Sequence, residues 1–463
     1  MRMLPIVLPS VVTRVPLAYA RGSVKCLWMM CCLLAPGILA AQATPEVREI
    51  LERLDRLEQQ NRALTEEVHQ LRQELAAAKP PSAEAPKQLE DKVAVTEGRT
   101  EELAQTKVEG SQKFPIRLTG MALFNGFLNS AGSGGDEYPL FAWPNVKRSG
   151  GATVYQSIIG LEFFGPQTIL GGKVHGSLYM DFGGGSGALL DQDFRIRTGT
   201  IEINWRDRSI KAGLDSPIFA PRQPASLAQV AFPPLSRAGN LWLWLPQVRF
   251  EQNLRFSDTT GILAQAGVVQ TVESLPYENG NATPEAARPG AEGRFEFYHG
   301  AADGQRIEIA PGFHTSTTHV LGNSVPSNLF SLDWFARPLA RVEFTGAFFS
   351  GQNVGPLGGM QQGFTVLPNG QAIAVHARGG WAQLTLVATR RLSFHLFSGL
   401  EKDREEDLAA GSLLRNWLYG ANLFYRLAPN VLLGVETTQA RTTYFGEGYR
   451  LNNHYDLALA YQF

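Results

Sequence analysis

The sequence has little cysteine. Only Cys26, Cys31 and Cys32 occur in 463 residues, all near the N-terminus. Charge is scarce too, at 18%, and balanced, with 42 Lys+Arg against 43 Asp+Glu. That balance argues against a nucleic-acid-binding or polybasic membrane-surface protein. No uninterrupted apolar run reaches the ~20 residues that a membrane-spanning helix needs. The mean hydropathy of −0.12 excludes a multi-helix membrane protein. It leaves a membrane barrel open, because barrel strands alternate and their hydropathy averages out. Low charge with 47 Gly and 26 Phe does not suit a disordered chain.

The cysteines belong to a segment with the layout of a secretory signal. Arg14, Arg21 and Lys25 precede an apolar run from Cys26 to Ala35, Pro36-Gly37 breaks it, and Ala41-Gln42-Ala43 supplies small residues for cleavage. Residues 1–43 are therefore expected to be removed, leaving no disulfide framework and no thiol chemistry. Val47, Ile50, Leu54, Leu57, Asn61, Leu64, Val68, Leu71 and Leu75 then alternate spacings of three and four. This is an a/d heptad, expected to form a coiled coil over 44–79. Arg53, Leu54, Leu57 and Glu58 match a short trimeric coiled-coil pattern, and Asn61 at an a position sets register. Lys79-Pro80-Pro81 ends the helix, and residues 80–113 read as a polar linker with a possible short helix.

From residue 114 to the end the period changes to two. About sixteen strands are expected, at 116–128, 152–164, 172–183, 195–205, 208–216, 246–256, 259–271, 292–301, 304–317, 326–337, 340–351, 379–389, 391–401, 415–427, 430–442 and 450–463. Their connections alternate in length. Long ones are expected at 129–151, 184–194, 217–245, 272–291, 318–325, 352–378, 402–414 and 443–449. Short ones are expected at Arg206-Asp207, Ser257-Asp258, Ala302-Asp303, Pro338-Leu339, Arg390 and Ala428-Pro429. That alternation fits an all-β transmembrane barrel of antiparallel strands, with short turns on the periplasmic side and long loops outside. The chain ends on Tyr461-Gln462-Phe463, with Leu457 and Leu459 at alternate positions before it. Tyr461 and Phe463 are read as the assembly signal recognised by the barrel-assembly machinery.

The heptad stalk, "KFPIRLTGMALF" at 113–124, "QSIIGLEFFGP" at 156–166 and the terminal "YQF" carry a resemblance. The layout resembles trimeric sixteen-stranded bacterial porins with a periplasmic coiled coil, the DcaP-like porins, and more loosely the phosphate-selective O/P type. The resemblance implies a homotrimer in the bacterial outer membrane, its stalk in the periplasm, with water-filled pores for passive diffusion of small hydrophilic solutes. Lipid and lipopolysaccharide would surround it. A different reading makes the barrel a structural anchor whose stalk tethers the cell wall or a periplasmic partner.

In the resembled porins the third long loop narrows the barrel. Here that loop, 217–245, carries five prolines, Arg222, Gln223, Gln229, Arg237 and Asn240, and no acidic residue. Prolines stiffen it, and a bare arginine pair in a narrow passage would favour anions such as carboxylate or phosphate. Flanking strands add Lys211, Asp215, Gln247, Arg249 and Glu251, and parity places Arg117, Glu162, Arg294, Arg306, Arg341 and Glu343 on the pore wall. Trp205, Trp334, Trp381 and Trp417 are candidates for interfacial girdles, as are Trp242 and Trp244, which also suit a sugar site or a trimer contact. No H-E-x-x-H, phosphate-binding loop or G-x-S-x-G element occurs, and His314 and His319 lack a recognised metal-ligand spacing. No enzyme, cofactor, metal or nucleic-acid partner is expected.

Overall fold

The computed structural model describes residues 116–463, except 135–136, 169, 185–192, 272–287, 321 and 361–362, and also Gln70. The expected signal segment, coiled coil and linker, with Arg53, Leu54, Leu57, Glu58 and Asn61, lie outside the described residues.

The elements run β1 (Ile116–Asn129), β2 (Ser149–Thr153), β3 (Ile158–Gln167), β4 (Lys173–Asp181), β5 (Arg195–Asn204), β6 (Arg208–Asp215), β7 (Leu245–Arg255), β8 (Thr260–Val269), β9 (Gly290–Gly300) and β10 (Arg306–Val320). They continue with β11 (Asn323–Leu339), β12 (Val342–Gln352), β13 (Phe364–Val366), β14 (Ala372–Ala374), β15 (His376–Val387), β16 (Leu392–Asp403), β17 (Leu413–Ala428), β18 (Val431–Tyr444) and β19 (Gly448–Gln462). β13 and β14 form a separate small hairpin within the loop between β12 and β15. β2 and β3 both pair with β1 and act as one strand interrupted at 154–157. β1 also pairs with β19, so the sheet closes on itself as a barrel of sixteen antiparallel strands. At the seam, Phe463 and Gly120 exchange backbone hydrogen bonds of 3.0 and 3.1 Å.

The alternation sorts side chains inside out. On β19, Tyr455 and Leu457 face outward at 53% and 50% exposure, while His454 and Asp456 face inward at 2% and 5%. Leu128, Ile201, Phe250 and Phe330 extend the outer apolar surface. A surface this apolar is stable against lipid, while the inward faces carry the polar residues.

Two connections depart from the expected alternation. β10 and β11 run to Val320 and from Asn323, so 318–325 is a tight hairpin end. β18 and β19 pair up to Tyr444 and Gly448, which leaves a tight turn where 443–449 was expected to be a loop. In both places polar Ser, Thr and Asn residues continue the ladder, so polarity alone is no sign of a loop. Pro338 and Leu339 belong to β11, and the turn falls at Ala340-Arg341 instead.

Candidate functional site

The segment between β6 and β7 is almost wholly buried although it contains no long strand or helix. It lies inside the barrel, because its partners are inward-facing wall residues on many strands. The backbone N–H of Ile218 donates to Glu292 at 2.7 Å, and Ser331 donates its hydroxyl to the Phe219 carbonyl at 3.0 Å. Further along, Ala225 N–H reaches Gln383 at 2.8 Å. Asn422 donates to the Ala225 carbonyl, Asn125 to that of Leu227, and Gln156 to that of Ala228. The loop thus starts on one side of the barrel and fastens its tip to β17, β18 and β1 on the other.

Ser226 organises the tip. Its Oγ accepts the N–H groups of Ala228 and Gln229, and its hydroxyl donates to Glu436 at 2.5 Å. Gln229 and Asn422 also donate to Glu436, at 3.0 and 2.9 Å. On the return, Arg197 and Arg195 of β5 donate to the carbonyls of Val230 and Ala231. Gly239 adopts φ +95 and packs so closely on Gly380 that a Cβ would overlap its carbonyl. Leu235 and Ala238 pack with Trp381, Phe397 and Leu418. Trp381 is therefore an inward support for the loop and no part of a lipid-facing girdle, whereas Trp417 faces outward at 38% exposure. Phe219, Ala220 and Leu241 pack with Val354 and Leu357, so the segment after β12 buttresses the inner loop.

The expected bare arginine pair is absent. Arg222 binds Asp333 and Glu308 at 2.5 Å each and Glu296 at 3.2 Å. Burial disfavours its charge, but these carboxylates outweigh burial and raise its pKa above the ordinary arginine value. Arg294 shares Asp333 and Glu296, and Arg306 pairs with Glu308, so three guanidiniums meet three carboxylates. Arg237 donates to the Gly359 carbonyl. Gln223 accepts from Asn240 at 2.8 Å, so these two loop residues bind each other.

The flanking strands form two more charged clusters. Lys211 lies 3.6 Å from Glu202 and 3.4 Å from Asp215; Arg249 lies 3.2 Å from Asp215 and 2.9 Å from Glu251. Across the lumen wall, Asp181 takes Arg195 and Arg197 at 2.7 Å each. The three clusters together hold seven basic and seven acidic side chains. Arg117 pairs with Glu162, which also accepts from Tyr179 at 2.9 Å, and Glu343 pairs with Arg337. Arg341 sits exposed in the turn after β11 and is not on the pore wall, because the strand runs two residues further than its alternation suggested. Sequence reasoning missed Asp181, Arg195, Arg197, Glu296, Glu308, Asp333, Arg337 and Glu436. Their signal was parity, the same rule that found Arg294.

A closed sixteen-stranded barrel with an apolar exterior and an inserted loop is the fold of outer-membrane channels. Among solved structures, the chain is similar to the outer membrane channel DcaP of Acinetobacter baumannii. The two share 15% identity, with a TM-score of 0.61, over 75% of this chain and 97% of that one. The anion-selective porin from Comamonas acidovorans matches at 11% identity and a TM-score of 0.49, over 75% and 99% of the two chains. No family model matches the sequence, and no curated protein matches it.

Proposed function

We propose that this protein is an outer-membrane porin, a passive channel for small hydrophilic solutes, with the 217–244 loop as its constriction. The carrying observation is that the loop crosses the interior and is fixed there by wall side chains. A barrel serving only as an anchor needs only ~8 strands, whose interior side chains fill. Selection is by cross-section more than by net charge, since paired opposite charges cancel at a distance. The anion preference expected from unpaired arginines loses its basis, because Arg222 is neutralised by its wall. The resemblance and the heptad support a homotrimer joined through the stalk.

Reconstitution into a planar bilayer tests the reading. It expects discrete conductance steps and a reversal potential near zero in a potassium chloride gradient. Bilayers that stay silent with folded protein would refute the channel. A strongly cation- or anion-selective reversal potential would refute selection by cross-section.

A further inference from the structure

The inner loop and the segment between β1 and β2, which carries Tyr138, bring aromatic rings into a line that the channel reading leaves unused. Tyr138 lies 5.5 Å from Phe232 between centroids, Phe232 is 4.9 Å from Trp242, and Trp242 is 4.8 Å from Trp244. All four are partly exposed inside the barrel, where a core aromatic would be buried. Neither Trp242 nor Trp244 has an indole hydrogen-bond partner among the described residues. Buried indole N–H groups normally find an acceptor, so these two are open to the lumen. Beside them, Arg195 and Arg197 lie 5.1 and 5.0 Å over Trp244. Both arginines spend their charge on Asp181 and on loop carbonyls. Arg195 also lies 5.1 Å over Phe232, so what remains is the ring surface of Tyr138 and Trp242 with the uncovered faces of Phe232 and Trp244, edged by neutralised polar groups and indole N–H donors.

We propose that Tyr138, Phe232, Trp242 and Trp244 form a binding track for an uncharged sugar, mono- or oligosaccharide, inside the channel. A pyranose has an apolar C–H face and a rim of hydroxyls. The face lies on an aromatic ring, and the hydroxyls accept from indole N–H and bridge to the Arg–Asp pair. A free carboxylate or phosphate would have to compete with Asp181 for the same guanidiniums. The choice of sugar rests on the channel reading above, but its test does not depend on current alone.

The full-length protein, in a zwitterionic detergent free of sugar headgroups, is titrated with maltohexaose while tryptophan emission is followed. The same sugar is added to the reconstituted channel, with sodium acetate as the anionic comparison. Saturable change in emission and graded block of current are expected with maltohexaose, and neither with acetate. Trp242→Ala weakens both by about tenfold, equivalent to ~1.4 kcal/mol of stacking. Trp242→Phe, which keeps a ring, retains most of the effect, and this separates lost stacking from misfolding. Current without block and without an emission change overturns the sugar site and leaves the channel standing. Saturable binding without any current does the reverse. A response to acetate alone overturns the proposal in favour of an anion.

Discussion

Ser226, at the tip of the inner loop, donates its hydroxyl to Glu436 on the far wall of the barrel across 2.5 Å. The same carboxylate takes Gln229 and Asn422. One buried side chain therefore fixes the loop tip to the opposite strand and holds the neighbouring amides in register. A stiff loop pinned at both ends divides a lumen that sixteen strands would otherwise leave wide.

The charge network on β9–β11 depends on Arg222. Arg222→Ala would leave Asp333, Glu296 and Glu308 with only Arg294 and Arg306. Breaking one side of a buried ion network costs about 3–5 kcal/mol. The thermal midpoint should fall, and the reversal potential should shift toward cations. Arg222→Lys should recover only part of both, because a lysine cannot bridge three carboxylates with a planar fork.

Gly239 is needed for its backbone. Its φ of +95 suits glycine, and a Cβ would strike the Gly380 carbonyl. Gly239→Val should leave the barrel assembled but displace the returning half of the loop. Limited proteolysis would then cut near residue 239 in the variant and spare the parent.

Phe463 closes the barrel seam through its backbone pairing with Gly120, and its ring packs where a Gly120 side chain would otherwise sit. Removing Phe463 should lower the yield of folded, heat-modifiable barrel in the outer membrane several-fold. Refolding the purified chain in detergent separates the two roles. Near-normal refolding would mark a signal to the assembly machinery, and failure would mark a structural latch.

Much of this was legible in the sequence. All sixteen strands follow from the two-residue period, since each must present one face to lipid. That β10 runs to Val320 and β18 to Tyr444 was not, because lumen-facing strand ends are as polar as loops. The loop's lack of acid was visible in its sequence, but its meaning was not. The compensating carboxylates Glu292, Glu296, Glu308, Asp333 and Glu436 lie 75 to 219 residues beyond the loop start at Pro217, and only barrel closure brings them to it.

The heptad segment should set oligomeric state without shaping the barrel. Removing residues 46–78 should leave strand content by circular dichroism unchanged and shift light-scattering mass from trimer toward monomer. An unchanged trimer would place the contacts on the barrel wall.

The most direct measurement compares single-channel conductance of the parent protein and Glu436→Ala. That variant strands the hydroxyl of Ser226 and the amides of Gln229 and Asn422, at about 1–3 kcal/mol for each unsatisfied buried group. A freed tip widens the passage, so the account predicts discrete steps in the parent and larger, noisier steps in the variant. Equal conductance in the two proteins, or no steps in either, would contradict a lumen-spanning loop as the constriction of an open channel.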